Sequence, residues 1–245
     1  MNNQILRNAY IKILNQYDQK YFEVKEKRAG KLSGMFLASA SEEYEKEKNK
    51  VMIVGCETAG WNVLTDHPFV TVDHYVDLAL NKHQQFFKDQ MTTKNVKGRT
   101  FFNFARKVAK LEGVSENGMV YTNLFCFDWH GKSPMKCAEF KFIKEISQKI
   151  LNSQIEILKP DYILFVNGIS SAGCRRDFFP MDGENQRCTN IKGYPDTISK
   201  HYLLEFMLDE KIKCWRTHHP SAYSQKASQG RENALKLLSN AVRVV

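Results

Sequence analysis

Apolar residues along this chain follow two different spacings: short unbroken runs, and a repeat every three to four positions. The unbroken runs are Val51–Gly55 (VMIVG), residues 118–125 (GMVYTNLF), residues 162–168 (YILFVNG) and Ile212–Thr217 (IKCWRT). Short continuous runs rich in β-branched and aromatic side chains predict strands buried on both faces, as in a parallel sheet. Between them the spacing becomes helical. Residues 5–21 place Leu6, Tyr10, Ile13, Leu14, Tyr17 and Tyr21 on one face, and residues 100–111 do the same with Phe101, Phe104, Ala105, Val108 and Leu111. Residues 136–158 repeat the pattern with Phe140, Ile143, Ile146, Ile150, Ile157 and Leu158. After the last run, Ser228 is the predicted N-cap of a helix whose buried stripe is Ala234, Leu237, Leu238 and Ala241. Residues 42–50 (EEYEKEKNK) read as a solvated charged stretch, helical or loose.

Strand alternating with helix predicts βαβ units, with a parallel sheet covered on both faces. The expected fold is therefore α/β, a three-layer α/β/α sandwich around a central four-stranded parallel sheet. At 245 residues an α/β unit can be a single domain, and no Pro/Gly-rich linker, internal repeat or low-complexity tract divides it. Residues 1–245 are read as one domain, with residues 1–50 a helical N-terminal extension packed on it.

Composition narrows the class. No apolar run approaches the roughly 20 residues that a membrane helix needs, so no membrane role is expected. The first four residues, Met1-Asn2-Asn3-Gln4, lack the charged-then-apolar pattern of an export signal, which predicts a cytoplasmic protein. Six cysteines stand singly at 56, 126, 137, 174, 188 and 214, with no CxxC pair. That spacing argues against a zinc ribbon, an iron–sulfur cluster or a disulfide scaffold, and predicts reduced thiols. His67, His74 and His83, in a long insert between the first two strands, fit no metal-ligand spacing and read as loop histidines. No metal and no cofactor are expected. Lys+Arg number 36 against 27 Asp+Glu, a net charge of +9 that points to a polyanionic partner such as nucleic acid.

In open α/β sheets the ligand lies beyond the carboxyl ends of the strands. The four strand exits here are Gly55-Cys56-Glu57-Thr58-Ala59-Gly60-Trp61, Asn123 onward, Gly168 onward, and His218-His219-Pro220-Ser221. They hold a carboxylate, an amide and a histidine.

Taken in order, these segments resemble the uracil-DNA glycosylase superfamily. The resemblance rests on residues 51–60 (VMIVGCETAG), Tyr121-Thr122-Asn123-Leu124, residues 159–168 (KPDYILFVNG) and Thr217-His218-His219-Pro220-Ser221. It covers about residues 50–242, and four motifs in the right order at strand exits are far more specific than any one alone. The resemblance implies a DNA glycosylase, a hydrolase that flips a base out of the stack and leaves an abasic site.

Position by position, Glu57 falls where members carry the aspartate that activates water and stabilises the cationic sugar. The extra methylene of glutamate is a departure that the loop would have to absorb. His219 matches the histidine that hydrogen-bonds the leaving base; His218 is read as packing. Asn123 matches the asparagine that reads the base edge, its amide offering an acceptor and two donors; strand-end capping is the alternative. Trp61, Phe125 and Phe127 are candidates for the wall on which the base stacks, and equally for core. Ser221 belongs to the loop that compresses the DNA backbone. Tyr223 falls where relatives place a side chain that wedges into the duplex. Arg175 and Arg176, with residues 187–192, form a basic stretch expected to contact phosphate. Ala59 stands where uracil-specific members carry a tyrosine that crowds C5. A pocket without that side chain is expected to accept a C5-modified pyrimidine, such as a bulky modified cytosine of phage DNA with a role in antiviral defence, as well as uracil. The four-cysteine cluster of some relatives is not reproduced, and no lysine is placed for a Schiff base.

The expected protein is a monomer acting on DNA. One rival is a catalytically silent DNA-binding or sensing module on the same fold. The other, an α/β hydrolase acting on nucleotides or esters, lacks a G-x-S-x-G elbow.

Overall fold

Each of the four apolar runs forms a strand in the computed structural model, which describes residues 2–22, 32–64, 68–95, 97–98, 100–194 and 196–243. The strands are β1 (Val51–Gly55), β2 (Met119–Asn123), β3 (Tyr162–Phe165), β4 (Cys188–Lys192), β5 (Leu203–Leu208) and β6 (Ile212–Thr217). Every residue of β1, β2 and β3 is buried, as unbroken apolar runs require. The sheet order is β2-β1-β3-β6-β5-β4. β1 pairs with β3 and β3 with β6 in parallel, whereas β5 runs antiparallel to both β6 and β4.

The expected four-stranded parallel sheet is thus corrected to a six-stranded mixed one. The two added strands are weak in sequence for separate reasons. β4 is an edge strand with one buried residue, Cys188, so its sequence CTNIK reads as a basic loop. β5 turns into β6 through Asp209 and Glu210, with φ of 50° and 59°. The connection has three residues, Asp209-Glu210-Lys211, and none is the glycine that normally announces successive left-handed positions.

The helices are α1 (Asn2–Leu14), α2 (Val72–Thr92), α3 (Thr100–Val108), α4 (Phe140–Leu158), α5 (Ala172–Phe178) and α6 (Gln225–Arg243). The chain forms two compact units interleaved in sequence: residues 1–42, 56–89 and 122–159, and residues 43–55, 90–121 and 160–245.

In the first unit α1 packs on α4. Leu6, Tyr10, Ile13 and Leu14 are its buried face, and Ile143, Ile146, Ile150 and Ile155 lie on that of α4. The Tyr10 hydroxyl donates to the Ala38 carbonyl at 2.8 Å, so its one polar atom is satisfied. The helix expected over residues 5–21 ends at Leu14 and is followed by a 3-10 turn at Gln19–Tyr21, capped by Asp18. Within the expected loop insert stands the 21-residue helix α2. Its His83 is not a loop histidine: it is fully buried, with Nδ1 2.9 Å from the Ser39 amide and 2.8 Å from the Ser39 hydroxyl. His67 lies outside the described residues. At the far end of α4, Lys159 takes the left-handed conformation (φ 46°) immediately before Pro160, a regular way to stop a helix.

In the second unit α6 lies against β5 and β6. Ala227, Gly230, Ala234, Leu238 and Val242 form its buried stripe. A Cβ on Gly230 would come within 2.5 Å of the Tyr202 carbonyl oxygen, so only glycine permits this approach. The cap is Ser224, whose Oγ accepts from the Ala227 amide at 3.2 Å; Ser228 sits inside the first turn, which corrects the expected start. The stretch at residues 42–50 is not wholly solvated either, since Tyr44 and Asn49 are buried. None of the six cysteines, all within the described residues, forms a disulfide. Among the described residues no helix is long and apolar enough to cross a membrane, and no group of His, Cys, Asp or Glu is arranged to hold a metal.

Candidate active site

The loop leaving β1 is shaped by one carboxylate. Asp128, only 1% exposed, accepts from the Thr58 hydroxyl and the Gly60 amide through Oδ2, each at 2.7 Å, and from the Gly131 amide through Oδ1, also at 2.7 Å. Gly60 meets that demand with φ +81°, a conformation costly for any residue bearing a Cβ. Two further bonds hold Asp128 itself to Ser33, from the Ser33 amide to the Asp128 carbonyl and from the Asp128 amide to Ser33 Oγ. The Phe125 amide donates to the Cys56 carbonyl at 2.9 Å, joining the start of the loop to the segment after β2.

Glu57 sits between these anchors. Its Oε2 is buried and has no hydrogen-bond partner. Burial raises the carboxyl's pKa above its ordinary value, a hydrogen bond from Cys56 opposes the shift, and the charge of Asp128 adds to it. The result is a carboxylate held poised in a loop that Asp128 keeps rigid. Asp128 escaped the sequence reading. The available signal was a lone acid in the apolar run Leu124-Phe125-Cys126-Phe127-Asp128-Trp129, where a buried charge demands partners.

Asn123 is the last residue of β2 and 9% exposed. Its side-chain amide makes no hydrogen bond among the described residues, so it does not cap the strand. The neighbouring Thr122 is satisfied instead by Gln154, at 2.7 Å. A nearly buried, unpaired amide is ready for a ligand edge.

The candidate stacking residues divide. Trp61 is 8% exposed and lies edge-on to Phe36 and Phe86, at ring-centre distances of 5.1 and 5.5 Å. Phe125 is fully buried and edge-on to Phe140, and Phe127 is fully buried beside Phe142. Both phenylalanines lie in the core, the second of the two readings open to them. Ala59 is exposed.

In the other unit, β6 leads into His218 and His219. Nδ1 of His219 lies 2.7 Å from the Ser221 hydroxyl and accepts from the Ser221 amide at 3.2 Å. An Nδ1 that accepts leaves the proton of the neutral ring on Nε2, so the free nitrogen is a donor. Burial, followed by the charge of Arg231, lowers the His219 pKa and favours that neutral form. Arg231 on α6 also fixes the loop, donating to the carbonyls of His219 (3.1 Å) and Ala222 (3.0 Å). The sequence reading missed this clamp. The motif's serine is thus engaged in orienting the histidine. His218 stacks on Tyr202 at 5.0 Å and 25°. Tyr223 is 87% exposed, the most exposed large apolar side chain described.

The basic stretch differs most from expectation. Arg176 is exposed, but Arg175 is 1% exposed, with its guanidinium over Phe206 and Phe165. It cannot meet a phosphate on the outer surface. Arg187 is held by Asp209 through two bonds of 2.8 and 2.6 Å, which neutralises much of that stretch.

Comparison with known proteins adds one finding. Residues 42–243, most of the chain, match the Uracil DNA glycosylase superfamily. No curated protein matches. The superfamily has a three-layer α/β/α fold, and the mixed sheet and helices described above are an arrangement of that class. The carboxylate loop after β1, the asparagine ending β2 and the histidine loop after β6 all fall within the matched span, and this chain belongs to the uracil-DNA glycosylase superfamily, whose members act on DNA.

Proposed function

We propose that this protein is a monofunctional DNA glycosylase that hydrolyses the N-glycosidic bond of a flipped pyrimidine. The observation that carries the reading is Glu57, whose buried, unpartnered Oε2 and raised pKa are the properties of a base waiting for a proton. Glu57 takes a proton from water as that water attacks C1′ of the sugar. The bond from C1′ to the base nitrogen breaks and its electron pair leaves with the base. His219 donates Nε2–H to the carbonyl oxygen on which the charge collects, a bond stronger in the transition state than in the ground state. Asn123 pairs with the base edge, and Tyr223 fills the gap the base vacates. The products are a free base and an abasic site.

The substrate we propose is a C5-modified pyrimidine, in the first instance a bulky modified cytosine such as phage DNA carries, which would make the protein an antiviral effector in the cytoplasm. Two observations support this. Ala59 is exposed and carries only a methyl group, and Trp61 is committed to Phe36 and Phe86. A wall that leaves room at C5 does not reject a substituent there.

Base release from duplexes with uracil, 5-hydroxymethylcytosine and glucosylated 5-hydroxymethylcytosine tests the specificity. Wild type is expected to release the bulky base. Ala59→Tyr is expected to lower that release by about 10- to 100-fold, while uracil release, if present, changes little. Undiminished release of the bulky base by Ala59→Tyr would show that residue 59 is not the gate.

A further inference from the structure

Apart from the residues given a role in base release, the sheet-bearing unit contains a cavity of about 390 Å³. Its floor includes Arg175 on α5 and Arg216 on β6, which are 1% and 5% exposed. Arg216 donates Nη1 to the His201 carbonyl (2.5 Å) and Nη2 to the Lys200 carbonyl (2.7 Å), but its Nε has no partner. Arg175 reaches only the Met181 sulfur, at 3.5 Å from Nη2, and its Nε and Nη1 are buried and unpartnered. Among the described residues neither guanidinium meets a carboxylate within 4 Å, and no acidic side chain lines the cavity. Arg176, Lys200 and His201 add further basic groups at its rim.

A buried charge without a counter-ion is rare, because desolvation must be offset by a partner. Burial lowers the pKa of both arginines, and with the repulsion of Arg175 and Arg176 added that of Arg216 falls to about 10. The stacking of Arg175 on Phe165 and Phe206 recovers only part of that cost. The unpartnered N–H groups, Nε and Nη1 of Arg175 and Nε of Arg216, are charged donors that the oxygens of an anion would satisfy. Beyond these basic groups and Ser199 the wall is apolar. Ile169 and Ile191, 40% and 45% exposed, stand at the mouth and Leu204 lies inside. The volume falls in the range of small-molecule sites and exceeds what a bare anion needs.

We propose that this cavity binds a nucleotide by its terminal phosphate, with Arg175 and Arg216 holding the phosphate oxygens and the isoleucines covering the sugar or base. A free mononucleotide and the 5′-phosphorylated end of a DNA strand share this chemistry. The site is independent of the glycosylase reading, because its occupancy is read from stability rather than base release.

The test is thermal unfolding of the full chain at constant ionic strength and pH, with chloride, inorganic phosphate, deoxycytidine or deoxycytidine 5′-monophosphate. Phosphate and the monophosphate are expected to raise the melting temperature by several degrees, the monophosphate at lower concentration; deoxycytidine should act no differently from chloride. Arg175→Met should abolish the phosphate-specific shift. Should that variant fail to fold, Lys200→Ala and Arg176→Ala, both at exposed positions, should each weaken monophosphate binding about fivefold or more. Equal stabilisation by chloride and phosphate, or unchanged monophosphate affinity in both rim variants, would overturn the proposal. Competition separates the sources. Displacement of the monophosphate by a 5′-phosphorylated oligonucleotide but not by its unphosphorylated twin identifies a DNA end, and displacement by neither identifies a free nucleotide. Equal displacement by both would overturn a site for terminal phosphate.

Discussion

Glu57 links stability to function through one proton. Its pKa is raised in the folded chain, chiefly by burial, so the contribution of this group to stability is fully present below the unfolded-state value and is lost as pH rises through the folded one. Glu57→Gln stays neutral throughout. It is therefore expected to match wild type in stability at acid pH and to exceed it at pH 7–8 by on the order of 1 kcal/mol, about 2–4 °C in melting temperature at this chain length. Melting curves of both proteins across that pH range check this, and a difference that does not vary with pH would contradict it. Base release should fall in the opposite sense, declining as pH drops through the same raised value, because catalysis needs the carboxylate.

At the scale of the element, the loop after β1 depends on Asp128 and the loop after β6 on Arg231. Asp128→Asn replaces an acceptor oxygen by an amide NH₂ that cannot serve the Thr58 hydroxyl, the Gly60 amide and the Gly131 amide together. A loss of about 1–3 kcal/mol in stability is expected, together with a fall in turnover that exceeds any fall in DNA affinity. Denaturant unfolding and a comparison of kcat with binding decide it; turnover and affinity falling equally would mean that the loop is not positioned by Asp128. These two anchors were the hardest parts of the site to read from sequence. Glu57, Asn123 and His219 were legible because each closes or follows a strand that its apolar run reveals. Asp128 reaches Thr58 and Gly60, 70 and 68 residues back along the chain, and Arg231 reaches carbonyls 12 and 9 residues away, and no local pattern names those partners. The same holds for strands and helices. β1, β2, β3 and β6 announce themselves by continuous apolar runs, whereas β4 (CTNIK) has no two apolar residues in succession. The buried positions of α2, Val72, Tyr75, Val76, Ala79, Leu80 and His83, do recur at helical spacing, but a histidine and many polar neighbours disguise them. Arg175 was misplaced because a run of basic residues does not reveal which member turns inward.

At the scale of the whole molecule, the net charge of +9 makes DNA affinity depend on salt. Each phosphate neutralised adds about −0.9 to the slope of log affinity against log salt on duplex DNA, so binding to an undamaged duplex should weaken steeply and linearly on that scale. Affinity titrations between low and moderate salt measure the slope, and a flat dependence would remove the electrostatic part of the account. Oligonucleotides carrying uracil, a thymine mispair, 5-hydroxymethylcytosine or its glucosylated form, together with phage DNA bearing such bases, are incubated with wild type and with Glu57→Gln. Mass spectrometry detects released base and alkali cleavage detects abasic sites. Base release from at least one of these by wild type is expected, with its loss in Glu57→Gln while DNA binding is retained. No release from any of them, with DNA binding intact, would contradict the glycosylase reading and leave a binding module built on a glycosylase fold.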